Sequence, residues 1–280
     1  MSSNNLVWLV LAVASYAVAT VCFFVARSPG RAQVGRLGSF ALGAGALANA
    51  VDLVVRGVEA GNLPVANFAQ SLPLLALLTA IAGLVLIVGF GIGLIGIFAA
   101  PIVCVAIVVA LALMNPRRIV LPESLRSGWL PVHVTLALGG YALFVLAAGV
   151  SIVYLIYEYR LKSKRPAALM GGHVPSLEKL DRINYRLLLW GFIMLSLAIV
   201  SGAIWADATW GHFWSWEPQE TWSLITWILY ASLLESRLTA GWRGRRAATL
   251  TLVVVMVTLL LGSLVGLSLM HPGKHGGNFD

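Results

Sequence analysis

Residues 72–114, LPLLALLTAIAGLVLIVGFGIGLIGIFAAPIVCVAIVVALALM, contain no charged side chain. A helix crosses a hydrocarbon core of ~30 Å with about 20 residues, so this stretch is long enough for two spans and must turn within residues 89–93, where three glycines stand. Apolar runs of similar length recur at roughly 5–26, 37–55, 131–158, 187–206, 220–236 and 247–270, which with 72–90 and 91–114 makes eight. The chain is 59% hydrophobic and only 11% charged, with a mean hydropathy of +0.89, outside the range of soluble domains. The expected fold is an all-α, polytopic membrane helix bundle forming one transmembrane domain over residues 1–280, without internal repeats.

Charge orients the bundle. With the N-terminus outside, the cytoplasmic side receives Arg27, Arg31, Arg36, Arg160, Lys162, Lys164, Arg165, Lys179, Arg182, Arg186, Arg237, Arg243, Arg245 and Arg246. The outer side keeps Arg56, Arg117, Arg118, Arg126 and Lys274. Basic residues favour the cytoplasmic side, so both termini are expected outside, and the basic connector 160–186 inside. The net charge of +8 then reflects topology and affinity for anionic membrane lipid, not a nucleic-acid footprint. Residues 1–27 lack the basic n-region of a secretory signal and read as a retained first span. Cys22 and Cys104 lie inside apolar runs without CxxC spacing and read as small buried hydrophobes.

Six of the ten tryptophans crowd into the outward loop at about 204–222 and the start of the span after it: Trp205-Ala-Asp-Ala-Thr-Trp210-Gly-His-Phe-Trp214-Ser-Trp216-Glu-Pro-Gln-Glu220-Thr-Trp222-Ser-Leu-Ile-Thr-Trp227. Isolated tryptophans such as Trp8, Trp129, Trp190 and Trp242 fit the interfacial belts of membrane proteins. The dense cluster, interleaved with Glu217, Pro218 and Glu220, suits a large flat aromatic ligand, because indole faces supply apolar area and stacking. Three further segments reach the same side: residues 61–72, 115–130, and the tail His271-Pro-Gly-Lys-His275. His133 and His271 stand at the ends of their spans on that side. Imidazole is a common axial ligand of haem iron, which makes haem the leading candidate and an interfacial role for each histidine the alternative. Glu217 and Glu220 are expected to cap the next helix.

The run from Trp205 to Trp222 closely resembles the WWD haem-handling motif, in the form found in the CcsA/ResC proteins of system II cytochrome c biogenesis. Leu180-Asp-Arg-Ile-Asn-Tyr-Arg186, Leu224-Ile-Thr-Trp227, Gly241-Trp-Arg-Gly-Arg-Arg-Ala247, His133-Val with Tyr141, and residues 61–72 are similar to the family too. The resemblance implies delivery and presentation of haem at the outer face for covalent attachment to apocytochrome c. The chain would be the haem-handling subunit of a cytochrome c synthase, in a bacterial cytoplasmic membrane or an equivalent energy-transducing one. It implies haem b bound non-covalently as substrate, against Trp205, Trp210, Trp214, Trp216, Glu217 and Trp222, with His133 and His271 as axial ligands. The implied partners are a CcsB/ResB-like membrane protein, an apocytochrome c carrying CxxCH, and a thioredoxin-like protein that keeps its thiols reduced. Arg117, Arg118 or Arg126 would neutralise the propionates.

The sequence departs from the family at three places. Leu233-Leu-Glu235-Ser-Arg237 has Glu235 where a membrane-embedded histidine is usual, and Glu235 reads as an interfacial acid paired with Arg237 or Arg243. Glu217 and Gln219 stand where aspartate and lysine are usual. His212 and His275 are additional imidazoles near the expected ligands. A haem-binding regulatory protein, or a structural membrane subunit using the tryptophans for packing, is the alternative reading.

Overall fold

The computed structural model describes residues 3–28, 31–65, 67–113, 129–163 and 175–268, and among these eight α-helices are present. They are α1 (Ser3–Val25), α2 (Ala32–Ala60), α3 (Phe68–Leu84), α4 (Gly96–Leu113), α5 (Trp129–Lys162), α6 (Leu177–Trp210), α7 (Pro218–Leu238) and α8 (Arg245–Ser268). Six, α1 to α6, are long and apolar enough to cross a membrane by length and composition. The expectation of an all-α bundle holds, and the eight helices fall on the eight apolar runs.

The charge-free stretch turns where its glycines stand. α3 loosens into a π-helical turn at Val85–Gly89, Gly91 takes φ 73°, and a 3₁₀ turn at Gly93–Ile95 starts the return. A side chain with a Cβ rarely adopts that left-handed conformation. The turn is anchored rather than covered: Gly89, Gly91 and Gly93 are exposed, but Ile92 and Ile95 are buried, and Lys179 at the start of α6 donates to the Phe90 carbonyl at 2.9 Å.

The helices close into two rings of four. In the first, α1 packs on α2 and α4, and α3 on α2 and α4, around Leu9, Tyr16, Phe23, Leu42, Val103 and Ile107. In the second, α5 packs on α6 and α8, and α7 on α6 and α8, around Phe144, Leu146, Leu188, Tyr230 and Leu233. Leu86, Ile92, Ile95 and Ala99, from the turn between α3 and α4, belong to the second core and join the two rings. Packing of α3 on α5 and a small seam of Leu53, Val65 and Leu74 beside Val134 and Leu138 complete the join. The middle of the second ring is filled by the Phe144 and Tyr230 rings, stacked at 3.5 Å and 7°.

A polar clamp fastens the end of the second ring nearest that turn. Arg237 on α7 donates to the Asn184 Oδ1 at 2.9 Å and to the Asp181 Oδ1 at 2.8 Å, both on α6, and lies 5.3 Å from the Tyr185 ring centroid. Asp181 also accepts the Gly244 N–H at 3.0 Å, at the approach to α8, and Asn184 donates to Ser151 on α5 at 2.9 Å. All four helices thus meet through one buried guanidinium. Removing one partner of a buried ion pair commonly costs 3–5 kcal/mol. Two expectations are corrected here. The expected pair of Glu235 with Arg237 is not formed, because Arg237 is buried and pairs with Asp181, while Glu235 is exposed on the far side of its helix turn. Arg56 is not a free outer charge, because it is buried in α2 against Asp52 one turn earlier. In both cases the cost of burying a charge is met by a carboxylate that the apolar pattern conceals.

Candidate functional site

The tryptophan loop lies at the opposite end of the second ring. α6 stops at Trp210 because Gly211 takes φ 78° and gives its N–H to the Asp207 carbonyl at 2.8 Å, the left-handed glycine stop of many helices. α7 begins seven residues later with Pro218 in its first turn. A single carboxylate organises the interval: Glu220 accepts the Ser215 N–H at 2.7 Å, the Ser215 hydroxyl at 3.1 Å and the Glu217 N–H at 3.3 Å. The Glu217 side chain in turn accepts the Glu220 N–H, completing a capping box. The expected capping by both acids is therefore present. Such a cap contributes about 0.5–2 kcal/mol.

The tryptophans divide into three layers. Trp205 and Trp222 are buried, with Trp222 packed beneath Gly262 of α8. Trp210 and Trp214 are half-buried. Trp216 is 69% exposed, as is Phe213 at 59%. Trp216 has φ 58°, the one non-glycine residue with positive φ among those described, a conformation that costs about 1–2 kcal/mol. Its indole stands edge-on to Trp214 with centroids 5.9 Å apart. Trp205 meets Trp210 edge-on at 4.9 Å, and His212 lies nearly parallel to Trp210 at 6.4 Å. The loop is an aromatic surface with a buried foundation.

His133, in the second turn of α5, stands beside that foundation. Its Nδ1 lies 2.8 Å from the Ala198 carbonyl of α6, and a carbonyl only accepts, so Nδ1 carries the proton. In the neutral ring the lone pair is then on Nε2, the nitrogen left to bind a metal. Gly202 makes the approach feasible: a Cβ there would fall 2.6 Å from the ring Cε1. Ala198, Gly202 and Trp205 share one face of α6 at helical spacing, so the seat of the imidazole lies on the same face about one turn before Trp205. An imidazole with its Nε2 lone pair available and the aromatic cluster are thus brought together by one helix face.

Residues 65–271 match the cytochrome C assembly protein family. The cytochrome c biogenesis protein CcsA of Parasynechococcus marenigrum (strain WH8102) is 32% identical over 257 residues, which cover 82% of this chain and 83% of that protein. The protein of the same name from Prochlorococcus marinus (strain MIT 9303) is 32% identical over 261 residues, covering 82% and 81%. The chain belongs to the CcsA family of cytochrome c assembly proteins. The solved structure of the cytochrome c heme lyase CcmF matches 98% of this CcsA-family chain with a TM-score of 0.62 at 18% identity. That likeness is one of fold, and the chain spans about half of the CcmF chain's length (52%). Together with six long apolar helices, family membership makes this a multi-pass membrane protein.

Among the sites expected from sequence, Trp205, Trp210, Trp214, Trp216, Glu217, Trp222 and His133 all lie at this end of the CcsA-family bundle. His271 and His275 lie outside the described residues, as do Arg117, Arg118, Arg126 and the greater part of the basic connector, His173 included. The exposed Glu235 does not face the packed interior of the second ring, where Phe144 and Tyr230 occupy the space. Sequence reasoning missed Ala198 and Gly202 as the residues that set the tautomer and seat of His133. The signal available was the small-residue run Ser201-Gly202-Ala203 one turn before Trp205.

Proposed function

We propose that this chain holds haem on the tryptophan loop at the outer face of an energy-transducing membrane and presents it to apocytochrome c. The observation that carries the reading is His133, seated on α6 by Ala198 and Gly202 with Nε2 unprotonated, one turn from Trp205. In this reading α7 and α8 complete eight spans, both termini lie outside, and the polar clamp at Arg237 faces the cytoplasm. Haem b is the substrate, bound non-covalently. Its porphyrin face rests on the indoles, and its iron takes His133 and His271 as axial ligands. Haem meets the loop at the end of the bundle, since the second ring is packed through its centre.

In the maturation reaction each cysteine S–H of a CxxCH segment adds across a haem vinyl group. A carbon–sulfur bond forms, the hydrogen goes to the other vinyl carbon, and no electrons are gained or lost overall. The described residues offer no exposed thiol for that step, since Cys22 and Cys104 are partly buried within α1 and α4. This chain therefore contributes positioning and control of iron ligation. A CcsB/ResB-like membrane protein completes the synthase, and a thioredoxin-like protein keeps the acceptor thiols reduced. The test is the absorption spectrum of the purified protein, oxidised and reduced, beside His133→Ala and His271→Ala. A low-spin haem signal weakened by either substitution supports the reading. Protein that stays haem-free even when made with ample haem and its partner overturns it in favour of a structural subunit.

A further inference from the structure

Three polar atoms of the tryptophan cluster are sealed from solvent without a hydrogen-bond partner among the described residues: Nε1 of Trp205, Nε1 of Trp214 and Nδ1 of His212. An indole N–H can only donate, and a desolvated donor without an acceptor is costly. Elsewhere in the loop polar groups are well matched. Glu220 takes the N–H groups of Ser215 and Glu217, and the Thr221 and Ser223 hydroxyls find the carbonyls of Trp216 and Glu220. Both loop acids take part in the capping box, and neither accepts from Trp205 Nε1 or Trp214 Nε1. For the two indoles the missing group is an acceptor that the described residues do not supply, and His212 Nδ1 seeks the same in the tautomer that protonates it.

The positions of these atoms say what kind. Trp205 and His212 are each in ring contact with Trp210, at 4.9 Å and 6.4 Å, so two of the three lie beside the same half-buried aromatic ring. Trp214 brings the third and touches the exposed, strained Trp216. A ligand matched to this set presents a flat apolar body together with a strong acceptor at its edge. Charge-assisted hydrogen bonds to carboxylates are about twice as strong as neutral ones, and a porphyrin with propionate substituents combines both properties.

We infer that the Trp205 and Trp214 indole N–H groups and His212 Nδ1–H bind the propionate carboxylates of the haem that lies on the loop. The inference rests on the reading of the loop as a haem surface and adds a second role for the tryptophans: they orient the porphyrin in its plane as well as supporting its face. It also gives His212 a function distinct from iron ligation. Because the three atoms are sealed in the free protein, binding includes rotation of the half-buried Trp214 and His212 side chains to admit the carboxylate.

The test uses the full chain in lipid nanodiscs and two iron-free ligands, protoporphyrin IX and its dimethyl ester, read by quenching of tryptophan fluorescence. Without iron, His133 and His271 contribute no ligation, so porphyrin contacts alone are measured. The free acid should bind about tenfold more tightly than the ester, relative to empty nanodiscs. Trp205→Phe, Trp214→Phe and His212→Leu, made singly, should each shrink that preference several-fold, the free acid losing more affinity than the ester. His212→Asn, which keeps an N–H donor near the Nδ1 position, should preserve it. Trp214 and His212 are only half-buried, so their variants do not endanger the bundle. An acid-to-ester ratio unchanged in all three variants, or equal loss of both ligands, overturns the inference and leaves the haem-surface reading standing. Binding of neither porphyrin to the wild type overturns the haem-surface reading and this inference with it.

Discussion

Replacing Gly202 by alanine isolates the seat of His133 from everything else at the site. The new Cβ would stand 2.6 Å from Cε1 and 2.8 Å from Nδ1 of the imidazole. Carbon atoms in contact prefer about 3.5–4.0 Å, so the ring must withdraw by roughly 1 Å. The 2.8 Å bond from Nδ1 to the Ala198 carbonyl then stretches beyond the ~3.2 Å limit of an ordinary N–H···O bond. Two consequences have different sizes. An imidazole N–H left without its acceptor costs about 1–3 kcal/mol of fold stability, a modest loss for a bundle whose other contacts are untouched. Freed from its orienting partner, the histidine loses the fixed tautomer, and such losses typically cost about 10–100-fold in metal affinity. Gly202→Ala should therefore remain folded, with haem affinity lowered by that factor and the low-spin bands weakened. The measurements are haem titration and the oxidised and reduced spectra, with circular dichroism to confirm helicity. A Gly202→Ala protein with wild-type affinity and spectrum would refute the reasoning that Ala198 and Gly202 prepare His133 for iron.

Glu220→Ala should lower stability by about 0.5–2 kcal/mol and loosen the loop, read as a lower melting temperature and faster proteolysis between α6 and α7. Glu220→Gln, which retains an acceptor oxygen, should lose less. Arg237→Met should destabilise the bundle by about 3–5 kcal/mol in detergent melts, because Asp181 and Asn184 lose a buried donor. Adding Asp181→Ala should restore part of that loss, and strict additivity of the two substitutions would show that the pair is not coupled. For topology, a cysteine at Phe213 should react with a membrane-impermeant maleimide added outside intact cells, whereas one at Ala240 should react only after permeabilisation. The reverse pattern would invert the proposed orientation.

The places of the helices and their turn were readable because the bilayer sets a minimum length and glycines in a charge-free run mark its break, whereas α2 and α6, at 29 and 34 residues, run well past the apolar runs 37–55 and 187–206. Capping by Glu217 and Glu220 was readable for the same local reason, since both partners lie within one turn of the helix start. What escaped the sequence is non-local. Arg237 and Asp181 come from different helices, and nothing in the charge pattern distinguishes a buried arginine from a solvated one at a span's end. The burial of Trp205 and Trp222 against the exposure of Trp216 was equally hidden, because it depends on where α8 and α5 pass and on a positive φ at Trp216 that composition does not announce. The Gly202 seat was hidden in another way. Small residues are common in membrane helices, and only the arrival of His133 from α5 gives this one a purpose.

The turn that plugs α3–α4 into the second ring also bears on how the chain is made. α3 and α4 emerge from the ribosome before α5 and α6, and neither has flanking charge close to the turn to declare its direction. Ile92, Ile95 and the Phe90 carbonyl therefore wait for partners that are translated later, with Lys179 supplying the cation that the hairpin lacks. A truncation ending before residue 175 removes the Lys179 contact and the α6 side of that core, and should leave the hairpin more readily digested by protease than in the full chain.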